Sequence, residues 1–372
     1  MATTDTIRPG AGRLDGAAPE SNGQTRRRHD RTGFEGLDIQ HPDPAPALAL
    51  RTIEGARPLA RFGSATLGPS GAHDVRPLQP GDDRADDERW QTPRMNVGRV
   101  GVWTTYSQFG AERAGEAAKI VEQLGYGAFW LGGSPRLSDV RPILDATSTL
   151  VAATGILNVW SNDPGATAIA DADLRGDFPA RVMLGIGIGH REATSEYGRP
   201  LATMRAFLDG LDASPSPPPL EERCLAALGP RMLDLARERT AGTHLYFVPV
   251  AHTRFARERL GVDKLVMPEL ACVVESDPVR AKAVAREYAR RHLELRNYRQ
   301  NLLDFGFTEA DLADGGSDRL LDAVIPQGSV DQIAEAVHAH IDAGADHVCL
   351  QPLGEEGIPR RSWTALANIL TR

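Results

Sequence analysis

The residues able to do chemistry in this chain gather where apolar runs end. The run RVMLGIGIG finishes on His190. An imidazole there can take or give a proton near neutral pH, although a lone histidine is more often a packed structural residue. Gly187 and Gly189 come just before it. Glycine lets the backbone approach a flat ligand or a phosphate, with no Cβ in the way. The GxGxG spacing is not the full dinucleotide fingerprint. Tight packing explains these glycines as well. A second group, Gly229-Pro230-Arg231-Met232, stands between a strand-like and a helix-like segment. Backbone N–H groups at a helix start, with an arginine beside them, suit an anion; an ordinary turn has the same composition.

Spacing argues against other chemistries. His338 and His340 lie two apart, so they do not share a helical face, and no HxxxH or HExxH spacing occurs. No metal site is expected. Neither a GxSxG elbow nor a Walker motif is present. Cys224, Cys272 and Cys349 sit far apart with no CxxC pair. That excludes a disulfide scaffold or zinc ribbon and suits a reducing cytoplasm.

These residues need a scaffold to bring them together. From residue 97 onward, strand-like and helix-like segments alternate. Strands are expected at 97–103, 128–133, 155–160, 180–189, 223–229, 243–249, 268–276 and 346–353. Helices are expected at 112–125, 142–153, 166–175, 200–212, 232–242, 250–261, 278–295 and 330–344. Eight strands joined by helices imply parallel crossovers and a closed TIM-type (β/α)8 barrel. A doubly wound sheet is the alternative. In a barrel the C-terminal strand ends carry the site, and the residues above fall at those ends.

Residues 1–94 read differently, with 10 prolines, 11 glycines and only three aromatics. Their apolar residues follow no period, so the segment is expected to be disordered, with the barrel domain covering 95–372. Translation starting at Met95 and a genuine disordered tail are two readings of the same boundary. Arg26-Arg27-Arg28 is either a nucleic-acid patch or a solvated charge run; the segment's 13 basic and 14 acidic residues nearly cancel. The whole chain of 372 residues carries a net charge of −8, which argues against nucleic acid as main partner. No apolar run reaches the roughly 18 residues of a membrane helix, and the N-terminus MATTDTIRPG has no secretory core.

Taken in order, GRVGVWTTYSQF, GYGAFWLGGSP, TGILNVWSNDP, RVMLGIGIGHREATSEYGRPLATMRAFLDGLD, LAALGPRMLDLARERTAGTHLYFVP and GADHVCLQPL resemble the bacterial luciferase-like family of flavin-dependent oxidoreductases. The likeness spans residues 95–372 and is greatest to the branch using the deazaflavin coenzyme F420. It implies a TIM-type barrel with a flavin or deazaflavin lying across the strand ends, a small-molecule substrate, and a homodimer. The family's non-proline cis peptide falls on Gly155-Ile156, where it would back the central ring, with Asn158 and Trp160 lining the same wall. Gly187, Gly189 and His190 match the fourth strand's end, where relatives place an acid or base. Several deazaflavin enzymes have glutamate there; this chain has His190. Leu228, Gly229, Pro230 and Arg231 match the loop that holds the cofactor phosphate. The second strand ends in Gly132-Gly133-Ser134, where some relatives have an acidic residue. Residues 298–328 resemble an insertion covering the mouth, whose Tyr298, Phe305 and Phe307 would either roof the substrate or pack the core. The implied activity is hydride transfer between coenzyme F420 and a small organic substrate. The alternatives are an FMN-dependent monooxygenase and a non-catalytic flavin-binding barrel.

Overall fold

The computed structural model describes residues 95–194 and 197–371. The expectations for the segment 1–94, including Arg26-Arg27-Arg28, lie outside the described residues. The folded part is a closed parallel barrel of eight strands: β1 (Val100–Thr104), β2 (Ala128–Leu131), β3 (Val151–Thr154), β5 (Val182–Gly187), β6 (Arg223–Ala226), β7 (Gly242–Leu245), β8 (Leu265–Val274) and β10 (Val348–Pro352). Two short pieces, β4 (Leu157–Asn158) and β9 (Gln327–Gly328), pair only with β5 and β8. The barrel closes at β10: Cys349 faces Gly101 of β1 on one side and Glu269 of β8 on the other.

Side chains alternate across each strand, so every strand feeds two cores. From β1, Val100 and Val102 pack outward against Ala117, Ala118 and Val121 of the helix Ala114–Gln123. Trp103 turns inward and joins Trp130, Met183, Cys224, Met267 and Cys349 in the barrel interior. Pro opens the helices Pro200–Asp212 and Pro230–Arg239 at their first position, where its missing N–H is no loss. Helix Pro164–Asp177 is longer than its weak apolar pattern suggests. Asp163 caps it, accepting from Ala166 N at 2.8 Å, and satisfies a donor the first turn leaves open.

The third strand differs from expectation. The segment 142–153 is helical only over Arg141–Asp145, and β3 begins at Val151 rather than 155. Thr147, Thr149 and Val151 are β-branched and resist helix. The Glu122 carboxylate also accepts from the N–H groups of Ser148, Thr149 and Leu150 at 2.8, 2.7 and 3.1 Å, which holds this backbone out of a helix. The residues 155–160 form only the short β4, after a cis peptide at Gly155-Ile156. Gly242 starts β7 instead of ending a helix, because a Cβ there would stand 2.0 Å from Leu265 O on the neighbouring strand. Helices Arg296–Asp304, Asp318–Val324 and Arg360–Leu370 add to the expected set.

Candidate active site

A cavity of about 400 Å³ opens at the C-terminal ends of the strands. The sequence-derived residues Gly155, Ile156, Gly189, His190, Leu228 and Gly229 all line it. One wall is built by Trp103, whose indole lies across the ends of β2 and β3. A Cβ on Gly132 would stand 2.0 Å from the Trp103 ring, and one on Gly155 2.7 Å from its Nε1. Both positions therefore need glycine while Trp103 sits there.

Gly187 stands behind this wall, where a Cβ would meet Ile156 Cδ1 at 2.4 Å. Asn158 and Trp160 also lie outside the lining. Asn158 Oδ1 accepts from Trp160 N at 3.0 Å, and the Trp160 indole donates to Ile188 O at 2.7 Å. These two shape the loop that carries Gly189 and His190. Gly189 has φ +62°, a left-handed conformation that favours glycine.

His190 projects from the end of β5. Its Nδ1 lies 2.9 Å from Asn297 Oδ1. An amide oxygen only accepts, so Nδ1 carries the proton and Nε2 is left for exchange. The ring packs 5.0 Å from that of Tyr298. Of the three aromatics in 298–328, Tyr298 alone lines the cavity. Phe307 is buried in the core around Leu302 and Leu320, and Phe305 packs on His252 and Phe255.

The rim is the start of helix Pro230–Arg239. Gly229 is its N-cap, exposed, and a Cβ there would meet nothing within 4 Å. Met232 and Leu233 both turn their N–H groups to Gly229 O at 3.1 Å, and Pro230 has none to give. Pro230 and Arg231 are exposed at this edge, outside the lining, and the Arg231 guanidinium has no ion-pair partner among the described residues. Its main-chain N–H and guanidinium are the groups here that can meet an anion.

An aromatic wall that sequence reasoning missed completes the site. Tyr246 and Tyr288 hold their hydroxyls 2.7 Å apart, and both reach Gln351 Oε1, at 3.0 and 2.9 Å. Burial pushes both phenols well above their ordinary pKa. His292 donates from Nδ1 to Tyr288 O at 2.9 Å and stacks on Phe247 at 5.0 Å. Burial pushes it down to about 4, so it is neutral at pH 7. Tyr246 had a signal in the sequence: it stands two residues after His244, on the same inward face of the β7 run. His292 and Asn297 had none, since they reach the site only because the chain after β8 folds back over the mouth. The described lining contains no Asp, Glu, Lys or Arg. Among the described residues no group of three His, Cys, Asp or Glu is placed to hold a metal ion, and no helix is long and apolar enough to cross a membrane.

No family model matches the chain. Solved structures share its fold. An F420-dependent secondary alcohol dehydrogenase in complex with an F420–acetone adduct is 13% identical, over 74% of this chain and 99% of that one, with a TM-score of 0.59. The coenzyme F420 dependent tetrahydromethanopterin reductase from Methanopyrus kandleri is 14% identical over 72% and 97%, with a TM-score of 0.54. The oxygenating constituent of 3,6-diketocamphane monooxygenase from Pseudomonas putida, a type II Baeyer–Villiger monooxygenase in complex with FMN, is 13% identical over 74% and 97%, with a TM-score of 0.54.

Proposed function

We propose that this protein is an oxidoreductase of the luciferase-like type that binds coenzyme F420 and acts on a small, uncharged organic substrate. The observation that carries this reading is the make-up of the cavity. Its glycine-edged wall beside Trp103 accepts a flat ring, its rim at Gly229–Arg231 offers groups for a phosphate, and its lining is aromatic and uncharged. The residues present fit a phosphate-bearing tricyclic cofactor on those grounds. When bound, coenzyme F420 supplies a carrier that takes or gives a hydride.

The chain's own residues have four tasks. Gly155, Ile156 and Trp103 support the ring. Gly229 and Arg231 hold the phosphate, with the N-terminal end of the helix dipole adding to the attraction. His190 holds or moves a proton at Nε2, and Asn297 fixes which nitrogen that is. Tyr298 and His292 close the cavity from the far side and exclude water.

FMN is the second reading. The diketocamphane monooxygenase, whose barrel superposes as well as that of the reductase, is in complex with FMN. Titration with coenzyme F420 and with FMN, followed by chromophore fluorescence, tests the proposal. Tight binding of coenzyme F420 supports it; binding of FMN alone moves the protein to the second reading.

A further inference from the structure

Two hydrogen-bonding atoms in the cavity-lining side chains have no partner in the protein. Trp103 Nε1 is a donor and His244 Nε2 an acceptor. Both side chains line the cavity, and both residues are more than nine-tenths buried, at 7% and 2% exposure. The tautomer of His244 follows from its neighbour. Its Nδ1 lies 3.0 Å from Met267 O, which only accepts, so Nδ1 carries the proton and Nε2 the lone pair. The ring is stacked on Trp130, with centroids 4.3 Å apart and planes 13° apart, so it cannot turn freely to find another partner. Trp103 Nε1 is held beside Gly155, 2.7 Å from where a Cβ would stand. Tyr246 packs against both rings, at 5.1 and 6.5 Å. Its hydroxyl is already committed to Tyr288 and Gln351. Buried polar atoms are normally satisfied, and leaving one unpaired is costly.

We infer that this donor and acceptor together read one edge of the bound ring. The inference rests on the flavin-type reading above and deepens it. The pyrimidinedione edge common to flavins and deazaflavins runs carbonyl, N–H, carbonyl. It needs one donor for a carbonyl oxygen and one acceptor for the imide N–H. Trp103 Nε1 and neutral His244 Nε2 supply that set. A substrate with a carbonyl beside an N–H or O–H presents the same chemistry, and the test separates the two sources.

The test uses the full-length protein and follows chromophore fluorescence with FMN, coenzyme F420, and the N3-methyl derivative of whichever chromophore binds. N3-methylation should weaken binding about 10- to 100-fold, and Trp103→Phe should weaken binding of the parent chromophore about 10-fold. In His244→Ala the parent and N3-methyl forms should bind alike, because the acceptor is gone. Equal binding of the two forms by the wild-type protein overturns the inference, and that comparison needs no variant to fold. Discrimination that survives in His244→Ala also overturns it, since it marks steric exclusion of the methyl group. If the variants change substrate affinity and leave chromophore affinity intact, the pair belongs to the substrate and the inference fails. Failure of both chromophores to bind is a distinct result that removes the flavin reading and the inference with it.

Discussion

His190 donates a hydrogen bond from Nδ1–H to Asn297 Oδ1 across 2.9 Å, tying the end of β5 to the helix Arg296–Asp304. This bond joins the residue proposed to handle a proton to the segment that covers the mouth. Its consequences are testable on both partners.

His190→Ala should lower turnover by about 10²- to 10⁴-fold, the usual contribution of a positioned acid or base, with chromophore affinity retained. Asn297 is a positioning residue, and Asn297→Asp gives the sharper readout. A carboxylate there still accepts from Nδ1–H, so Asn297→Asp should keep turnover well above that of Asn297→Ala, with chromophore affinity alike in both. Equal turnover in the two variants removes the orienting role of Asn297.

Two glycines, Gly132 under Trp103 and Gly229 on the rim, should separate packing from ligand approach. Gly132→Ala forces a Cβ to within 2.0 Å of the indole, and such overpacking costs about 1–3 kcal/mol. Gly229→Ala adds a methyl group that meets no protein atom within 4 Å, at φ −77°. Its only cost is the N-cap preference for glycine over alanine, about 0.5–1 kcal/mol. Urea unfolding of the two variants checks the contrast; equal stability would contradict the placement of Trp103.

Stability should depend on pH in two opposed ways. Burial pushes His244, His252, His292, His340 and His347 down to about 4. The unfolded chain titrates these near 6.5, so between those values it binds more protons than the native state. Their contribution is complete above about pH 6.5 and is lost as pH falls toward 4. Glu269 runs the other way. It is 1% exposed, burial pushes it up to about 8, and the native state keeps its proton where the unfolded chain does not. Its contribution is present at acid pH and is lost as pH rises from about 4.5 toward 8. Glu269→Gln should therefore remove the alkaline loss and leave the acid loss. Urea midpoints at pH 5, 6.5 and 8 read both effects; an unchanged alkaline slope in Glu269→Gln would place the cause elsewhere.

The barrel was legible because its signals are local. Most of its strands are apolar runs followed by helices with an apolar stripe, and each element announces itself. The third strand was not, because Val151–Thr154 is short and alanine-rich, and the chain leading into it is held by the Glu122 carboxylate, 28 positions away from Leu150. The site divides along the same line. His190, Gly189 and Leu228–Gly229 stand at strand ends, which the fold brings together by rule. Tyr288, His292 and Asn297 arrive from the chain folded back after β8, and no spacing in that stretch marks the faces it presents. Asn158 and Trp160 stand close to the cavity in sequence, yet their hydrogen bonds turn them into supports for the loop rather than lining.

The most direct measurement of the central claim is a crystal structure of the protein with the chromophore that binds in titration. The account predicts the ring against Gly155 and Ile156, one edge between Trp103 Nε1 and His244 Nε2, the phosphate beside Gly229 and Arg231, and His190 Nε2 facing the ring. A ring bound elsewhere, or a phosphate held away from the start of helix Pro230–Arg239, would contradict it.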